Sequence, residues 1–254
     1  MGATVGSLPL EAISPLIVPG PTAAGKSWVA RRLVDAFDRT GARAHIVGAD
    51  KFYLYAGNIF LLGLGLEADE LEDGRQRHLY GILDPRDAMP TGGEYARLLS
   101  EAVEVAHRAG AVAIIEGCSQ EYITAACRLY GYDHMLPVLQ SAPTMANDPL
   151  LSRAGQERAG RSIPAKFDRL VEQGLYEETG RALDAGYENT YPMRRGLIYG
   201  PVAQAVRGLI NQDAAREQVI AAWVAATQRI EAFYRSPAHL AEAYGQPRVY
   251  PPYS

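Results

Sequence analysis

Cysteine is scarce in this 254-residue chain: Cys118 and Cys127 are the only two, and they share no paired spacing. That excludes a disulfide framework and a cysteine zinc site, and leaves buried thiols as the expectation. Long apolar runs are missing as well. The longest, Ile59 to Leu66, is interrupted by glycine and falls far short of the roughly 18 residues that a membrane helix needs. Nor is there a surplus of positive charge: Lys and Arg number 25 against 29 Asp and Glu, for a net charge of −4. This balance argues against a protein held to nucleic acid by counterion release from a basic face. The opening stretch MGATVGSLPLEA lacks the cationic segment of a signal peptide, and Gly6 stands where a myristoylation site requires a hydroxyl. The cytoplasm is the expected compartment, with no membrane partner.

What the chain does have is an alternation of short apolar runs and helical periodicities. Pro15 to Val18 reads as a buried strand leading into Gly20-Pro21-Thr22-Ala23-Ala24-Gly25-Lys26-Ser27. Trp28 to Arg39 follows with Val29, Leu33, Val34 and Phe37 on one helical face. Ala44 to Ala49 predicts a second strand ending at Asp50. A helix from about Glu94 to Arg108 precedes a third strand, Ala111 to Ile115, which ends at Glu116-Gly117. Such alternation predicts an α/β fold with a mostly parallel sheet and ligand chemistry at the carboxyl ends of the strands. Beyond Pro143, Leu150 to Gly186 and Val202 to Tyr234 read as helices, giving a helical C-terminal half. The expected organisation is an α/β core over 1–142, a helical portion over 143–243 that packs on or caps the core, and an irregular tail over 244–254, rich in Pro and Tyr.

Gly20 to Ser27 fits G-x-x-x-x-G-K-[ST] between a strand and a helix, the context that makes this pattern informative, and predicts a P-loop NTPase-like core. Backbone N–H groups of Gly20, Thr22, Ala23, Ala24 and Gly25 would wrap anionic oxygens, Lys26 adds a point charge, and the Ser27 hydroxyl can ligate Mg²⁺. The loop recognises a diphosphate and says nothing of the group attached to it. Asp50 and Glu116 are the candidate acids closing apolar strands. For Asp50 the rival role is a helix cap, and for Glu116 a hydrogen-bond acceptor for backbone. His78 reads as structural.

The Gly-Pro-Thr-Ala-Ala-Gly-Lys-Ser loop resembles that of the isopentenyltransferase family, which includes tRNA dimethylallyltransferases and adenylate isopentenyltransferases. Val47-Gly48-Ala49-Asp50-Lys51-Phe52-Tyr53-Leu54-Tyr55 is similar to that family's second strand and its following segment. Arg77 to Pro85 resembles the His-Leu and Asp-Pro stretch of the tRNA enzymes, and Ile114-Ile115-Glu116-Gly117-Cys118-Ser119 the Glu-Gly-Gly-Ser of the adenylate enzymes. Leu151 to Arg158 resembles an Arg-bearing helix. The resemblance implies transfer of a dimethylallyl group from its diphosphate to an exocyclic amine. Lys26, Ser27 with Mg²⁺, Arg153 and Arg158 would take the leaving charge. Asp50 would act as the base, Thr22 would hold the amine, and Ser119 and Tyr199 would contact the acceptor; Arg194 and Arg195 are the next candidates for the clamp.

Two departures bear on the acceptor. The segment Asn58 to Leu66 is apolar where adenylate enzymes carry polar and cationic residues, which suits either core packing or an apolar wall. Tyr199 stands where they carry an Asp. The tRNA enzymes also have a larger helical insertion than this chain has room for. With the charge balance, this makes tRNA unlikely and a free adenine nucleotide or another small aromatic amine the expected acceptor. Two other readings remain open: a P-loop kinase of a small metabolite, with Asp50 activating a hydroxyl, and a nucleotide-binding regulator without turnover.

Overall fold

The structure is a computed structural model and describes residues 14–21, 24–55, 74–131, 135–136 and 163–235. Strands β1 (Leu16–Pro19), β2 (Arg43–Gly48), β3 (Arg77–His78) and β4 (Ala111–Gly117) form one parallel sheet in the order β1-β4-β2-β3. Its inner strand β4, Ala-Val-Ala-Ile-Ile-Glu-Gly, is buried at every residue. A run without alternation is what a parallel strand needs when helices cover both faces. One face, with Ile17, Val47, Ala113 and Ile115, packs against α2 (Gly92–Arg108) and α3 (Gln120–Tyr130) through Tyr95, Leu99, Val103, Tyr122 and Ile123. The other, with Val18, Ile46, Val112 and Ile114, packs against Ala30 and Val34 of α1 (Lys26–Arg39). The α/β fold with a mostly parallel sheet is therefore present as the sequence predicts.

Strands β1, β2 and β4 and helices α1 and α2 lie within a few residues of their predicted spans. Helix α2 starts where Thr91 and Glu94 exchange hydrogen bonds as a capping box, which satisfies two N–H groups that have no intrahelical partner. The predicted single helix ending at Gly186 is broken instead into α4 (Ile163–Glu172) and α5 (Leu175–Asp184) by Gly174 at φ +99°. Glycine adopts that left-handed conformation without steric penalty. Helices α6 (Tyr191–Arg195), α7 (Tyr199–Val206) and α8 (Gln212–Arg235) follow. Phe167, Leu170, Leu175, Val202, Val219 and Trp223 form a second core among α4, α5, α7 and α8. The two halves touch where Phe52 and Tyr55 face Tyr191, with ring centroids 5.8 and 6.2 Å apart, and where Arg86 reaches Tyr187 and the carbonyl of Ala185. Among the described residues no helix is long and apolar enough to cross a membrane. The boundaries near 142 and 243 and the tail from 244 lie outside the described residues.

Candidate active site

The parallel register brings the ends of β1, β2 and β4 to one edge of the sheet, pairing Val18 with Glu116 and Glu116 with Gly48. Beyond β1, Gly25 takes φ +91° as the cap of α1, with no side-chain acceptor and no acid in the first turn of that helix. The first N–H groups of α1 thus remain available to an anion, and the helix dipole favours one there. Lys26 is buried and its Nζ donates to the carbonyl of Pro21 at 3.0 Å, so the ammonium is folded onto its own loop. Thr22 and Ala23 lie outside the described residues. Gly20, Ala24 and Gly25 lie between the end of β1 and the start of α1, and Lys26 and Ser27 open that helix.

Glu116 is 2% exposed at the end of β4. Its Oε1 accepts from the Tyr80 hydroxyl at 2.7 Å, and the Ser27 hydroxyl lies 3.4 and 3.5 Å from its two oxygens. Burial, with the carboxylate beside it, raises the Tyr80 pKa well above that of a free phenol. The backbone around this group is crowded. A Cβ on Gly117 would fall 2.1 Å from the carbonyl oxygen of Ala49, and one on Gly48 would fall 3.0 Å from the Tyr80 ring. Sequence reasoning quoted Tyr80 inside a motif but missed it as a site residue, because nothing local shows that a two-residue strand will carry it to Glu116.

Asp50 follows β2 and is buried. Its Oδ1 accepts from the backbone N–H of Phe52 at 3.0 Å and the Cys118 thiol meets its Oδ2. The local capping role weighed for Asp50 is thus met by this turn, with the carboxylate still at the strand ends. Ser119 is partly exposed, and its Oγ accepts from the N–H of Lys51 at 2.9 Å, pinning the Asp50 loop to the start of α3. Lys51 in turn donates to Glu121 at 2.6 Å, and Glu121 accepts from the N–H of Gly92. His78 pairs with His45, Nε2 to Nδ1 at 3.0 Å, and burial lowers both pKa values.

The helical half corrects one assignment. Tyr199 has no exposed surface, packs with Ala182, Tyr187, Met193 and Ala203, and donates to the buried Glu178 at 2.5 Å. It is a packing residue of that half and is not open to an acceptor. Arg194 and Arg195 are exposed on α6. Arg153, Arg158 and the apolar segment Asn58 to Leu66 lie outside the described residues. Cys127 is buried, as expected, which pushes its thiol up to about 12, while Cys118 is partly exposed.

No protein-family model matches the chain. Over 227 residues it is 28% identical to tRNA dimethylallyltransferase 2 of Geotalea uraniireducens, a match covering 80% of this chain and 70% of that one. Over 195 residues it is 26% identical to the mitochondrial adenylate isopentenyltransferase 7 of Arabidopsis thaliana, covering 72% of this chain and 51% of that protein. Its fold matches the tRNA isopentenylpyrophosphate transferase of Bacillus halodurans with a TM-score of 0.64 at 16% identity, over 89% of this chain and 88% of that one. Two of these three proteins are named for action on tRNA, which overturns the expectation that tRNA is an unlikely partner. A net charge summed over the chain averages a surface of which a nucleic acid touches only part. In sequence and in fold, the chain is thus similar to isopentenyltransferases, enzymes that transfer a prenyl group.

Proposed function

We propose that the chain transfers a dimethylallyl group from dimethylallyl diphosphate to the exocyclic amine of an adenine carried by tRNA. The observation that supports this most is the placement of Asp50 at the end of β2, on the same sheet edge as the phosphate loop that ends β1. In the reaction the C–O bond to the diphosphate breaks and its electron pair leaves with the diphosphate. The amine nitrogen forms the new N–C bond and its proton passes to Asp50. The loop N–H groups and Lys26, once released from Pro21, stabilise the developing anion, usually the largest contribution in such a reaction. Thr22 is assigned to hold the amine, and Arg153 and Arg158 to grip the diphosphate.

Magnesium fits the residues present. The Ser27 hydroxyl offers a hard oxygen atom at the mouth of the phosphate loop, with the Glu116 carboxylate beside it to accept its proton. Mg²⁺ characteristically takes one or two protein ligands and completes its shell with substrate phosphates and water. Bound there, it would supply charge neutralisation to the leaving diphosphate. Among the described residues no cluster of three or more His, Cys, Asp and Glu could hold a metal without such help.

A second reading keeps the chemistry and changes the acceptor to a free adenine nucleotide, and the adenylate isopentenyltransferase match over 72% of the chain favours it. One experiment separates these and tests the whole proposal. The protein is incubated with dimethylallyl diphosphate, Mg²⁺ and either unmodified tRNA or AMP, ADP and ATP, and products are weighed for an added C₅ unit. Gain on tRNA is the expected result, and gain on nucleotides alone selects the second reading. No gain on either, with ADP released from ATP, would replace both with a kinase.

A further inference from the structure

Tyr80 lies outside every motif role assigned so far, yet several features of the fold converge to place its hydroxyl. Strand β3 is two residues long and pairs with Ile46 and Val47. Immediately after it Leu79 is held at φ +63°, a conformation that a bulky side chain occupies at a cost of about 1–2 kcal/mol. Gly81 and Leu83 then donate their N–H groups to the carbonyls of Tyr53 and Leu54, and Tyr53 stacks on the Tyr80 ring with centroids 4.9 Å apart. Gly48, lacking a Cβ, leaves room for that ring over the end of β2. The outcome is a phenol aimed at Glu116, whose carboxylate faces the Ser27 hydroxyl.

We infer that Tyr80 is a positioning residue acting through Glu116 on Ser27: it fixes the carboxylate that accepts the Ser27 proton, and so turns the lone pairs of Ser27 toward the metal ion that would accompany the diphosphate. The inference rests on the proposed reading for the identity of the diphosphate site, and it goes beyond that reading in assigning this residue. A serine hydroxyl has one proton and two acceptor lone pairs. Free to rotate, it points those lone pairs toward a cation only part of the time. Donation to a fixed carboxylate removes that freedom. The 2.7 Å bond from Tyr80 holds the Oε1 of that carboxylate in place beside Ser27. Hydrogen-bond partners of ligands characteristically change metal affinity by about 10–100-fold.

The test measures Mn²⁺, standing in for Mg²⁺, binding to the intact protein in the presence of inorganic pyrophosphate, by water proton relaxation, and needs no turnover. Four proteins are compared: wild type, Tyr80→Phe, Ser27→Ala and the double variant. Tyr80→Phe is expected to weaken Mn²⁺ by about tenfold, the low end of that range because it acts at one remove. Once Ser27 is alanine, Tyr80→Phe should change nothing further, since the hydroxyl it orients is gone. Losses that simply add, or an unchanged Mn²⁺ affinity in Tyr80→Phe, would overturn the inference. Thermal melting checks that each variant folds; should Tyr80→Phe fail, Glu116→Gln takes its place in the same cycle with the same two outcomes. If the coupling holds but no C₅ unit is transferred to any acceptor, the transferase reading falls while this assignment stands.

Discussion

In the proposed reaction Lys26 and Asp50 divide the chemistry, and single substitutions separate their parts. Lys26→Ala removes an ammonium that is 5% exposed in the phosphate loop. Turnover is expected to fall on the order of 10²–10³-fold, the usual effect of losing one donor to a developing anion. Asp50→Asn keeps the shape and can still accept from Phe52, but cannot take a proton. Turnover should fall about 10²–10⁴-fold with little change in affinity for the diphosphate, as for loss of a general base; equal losses in both would assign Asp50 to the metal. Gly117→Ala tests the scaffold beneath them. Its methyl group would stand 2.1 Å from the Ala49 carbonyl oxygen, and strain of this kind in a core strand costs more than about 3 kcal/mol, read as a large drop in the melting temperature. Gly20 to Ser27 and Asp50 were legible in the sequence because a loop motif and a strand-ending acid are local patterns. Tyr80 and the engagement of Ser119 by Lys51 were not, since both depend on partners dozens of residues away.

At the scale of elements, β3 is the least protected part of the sheet, and its histidine makes it sensitive to acid. His78 on β3 and His45 on β2 share a hydrogen bond, and burial holds both below their ordinary value of 6.5. The folded protein therefore binds fewer protons there than the unfolded chain as the pH falls below 6.5. The stabilisation is fully present above that pH and is lost as acidity carries the pair through its lowered folded values. Melting temperature is expected to decline on acidification from about pH 6.5 downward, and His78→Gln should make the decline shallower. A slope unchanged by the substitution would assign the acid sensitivity to other groups. The sequence revealed β1, β2 and β4 through their continuous apolar runs. It concealed β3, since two residues carry no periodicity, and it hid the break at Gly174, where a helical pattern runs on through a residue that leaves the helical region.

Across the whole molecule, a small contact joins the α/β core to the helices. Arg86 donates to the Tyr187 hydroxyl and the Ala185 carbonyl, each at 3.1 Å, and its guanidinium sits 4.2 Å from the centre of the Tyr187 ring. Arg86→Ala should raise amide hydrogen exchange in α5 and α6 while leaving β4 protected. Arg86→Lys should restore little, because an ammonium cannot reproduce the flat two-handed contact. Exchange that rises equally in β4 would show that the two halves open as one unit. The expectation against tRNA failed at this same scale, where a net charge of −4 hides how charge is distributed locally.

Strand order also governs what can happen while the chain is being synthesised. One of the two inner strands of the sheet is the last of the four in sequence: β4 lies between β1 and β2, and β1 pairs with β4 alone among the other three strands. A ribosome adding about 5–20 residues per second leaves β1 waiting on the order of 5–20 s for the hundred or so residues that precede its partner. Over that interval the phosphate loop and α1 exist without the sheet edge that aims them. The nascent chain carries an apolar strand without its partner, and the proposed diphosphate site is complete only after Gly117 has emerged.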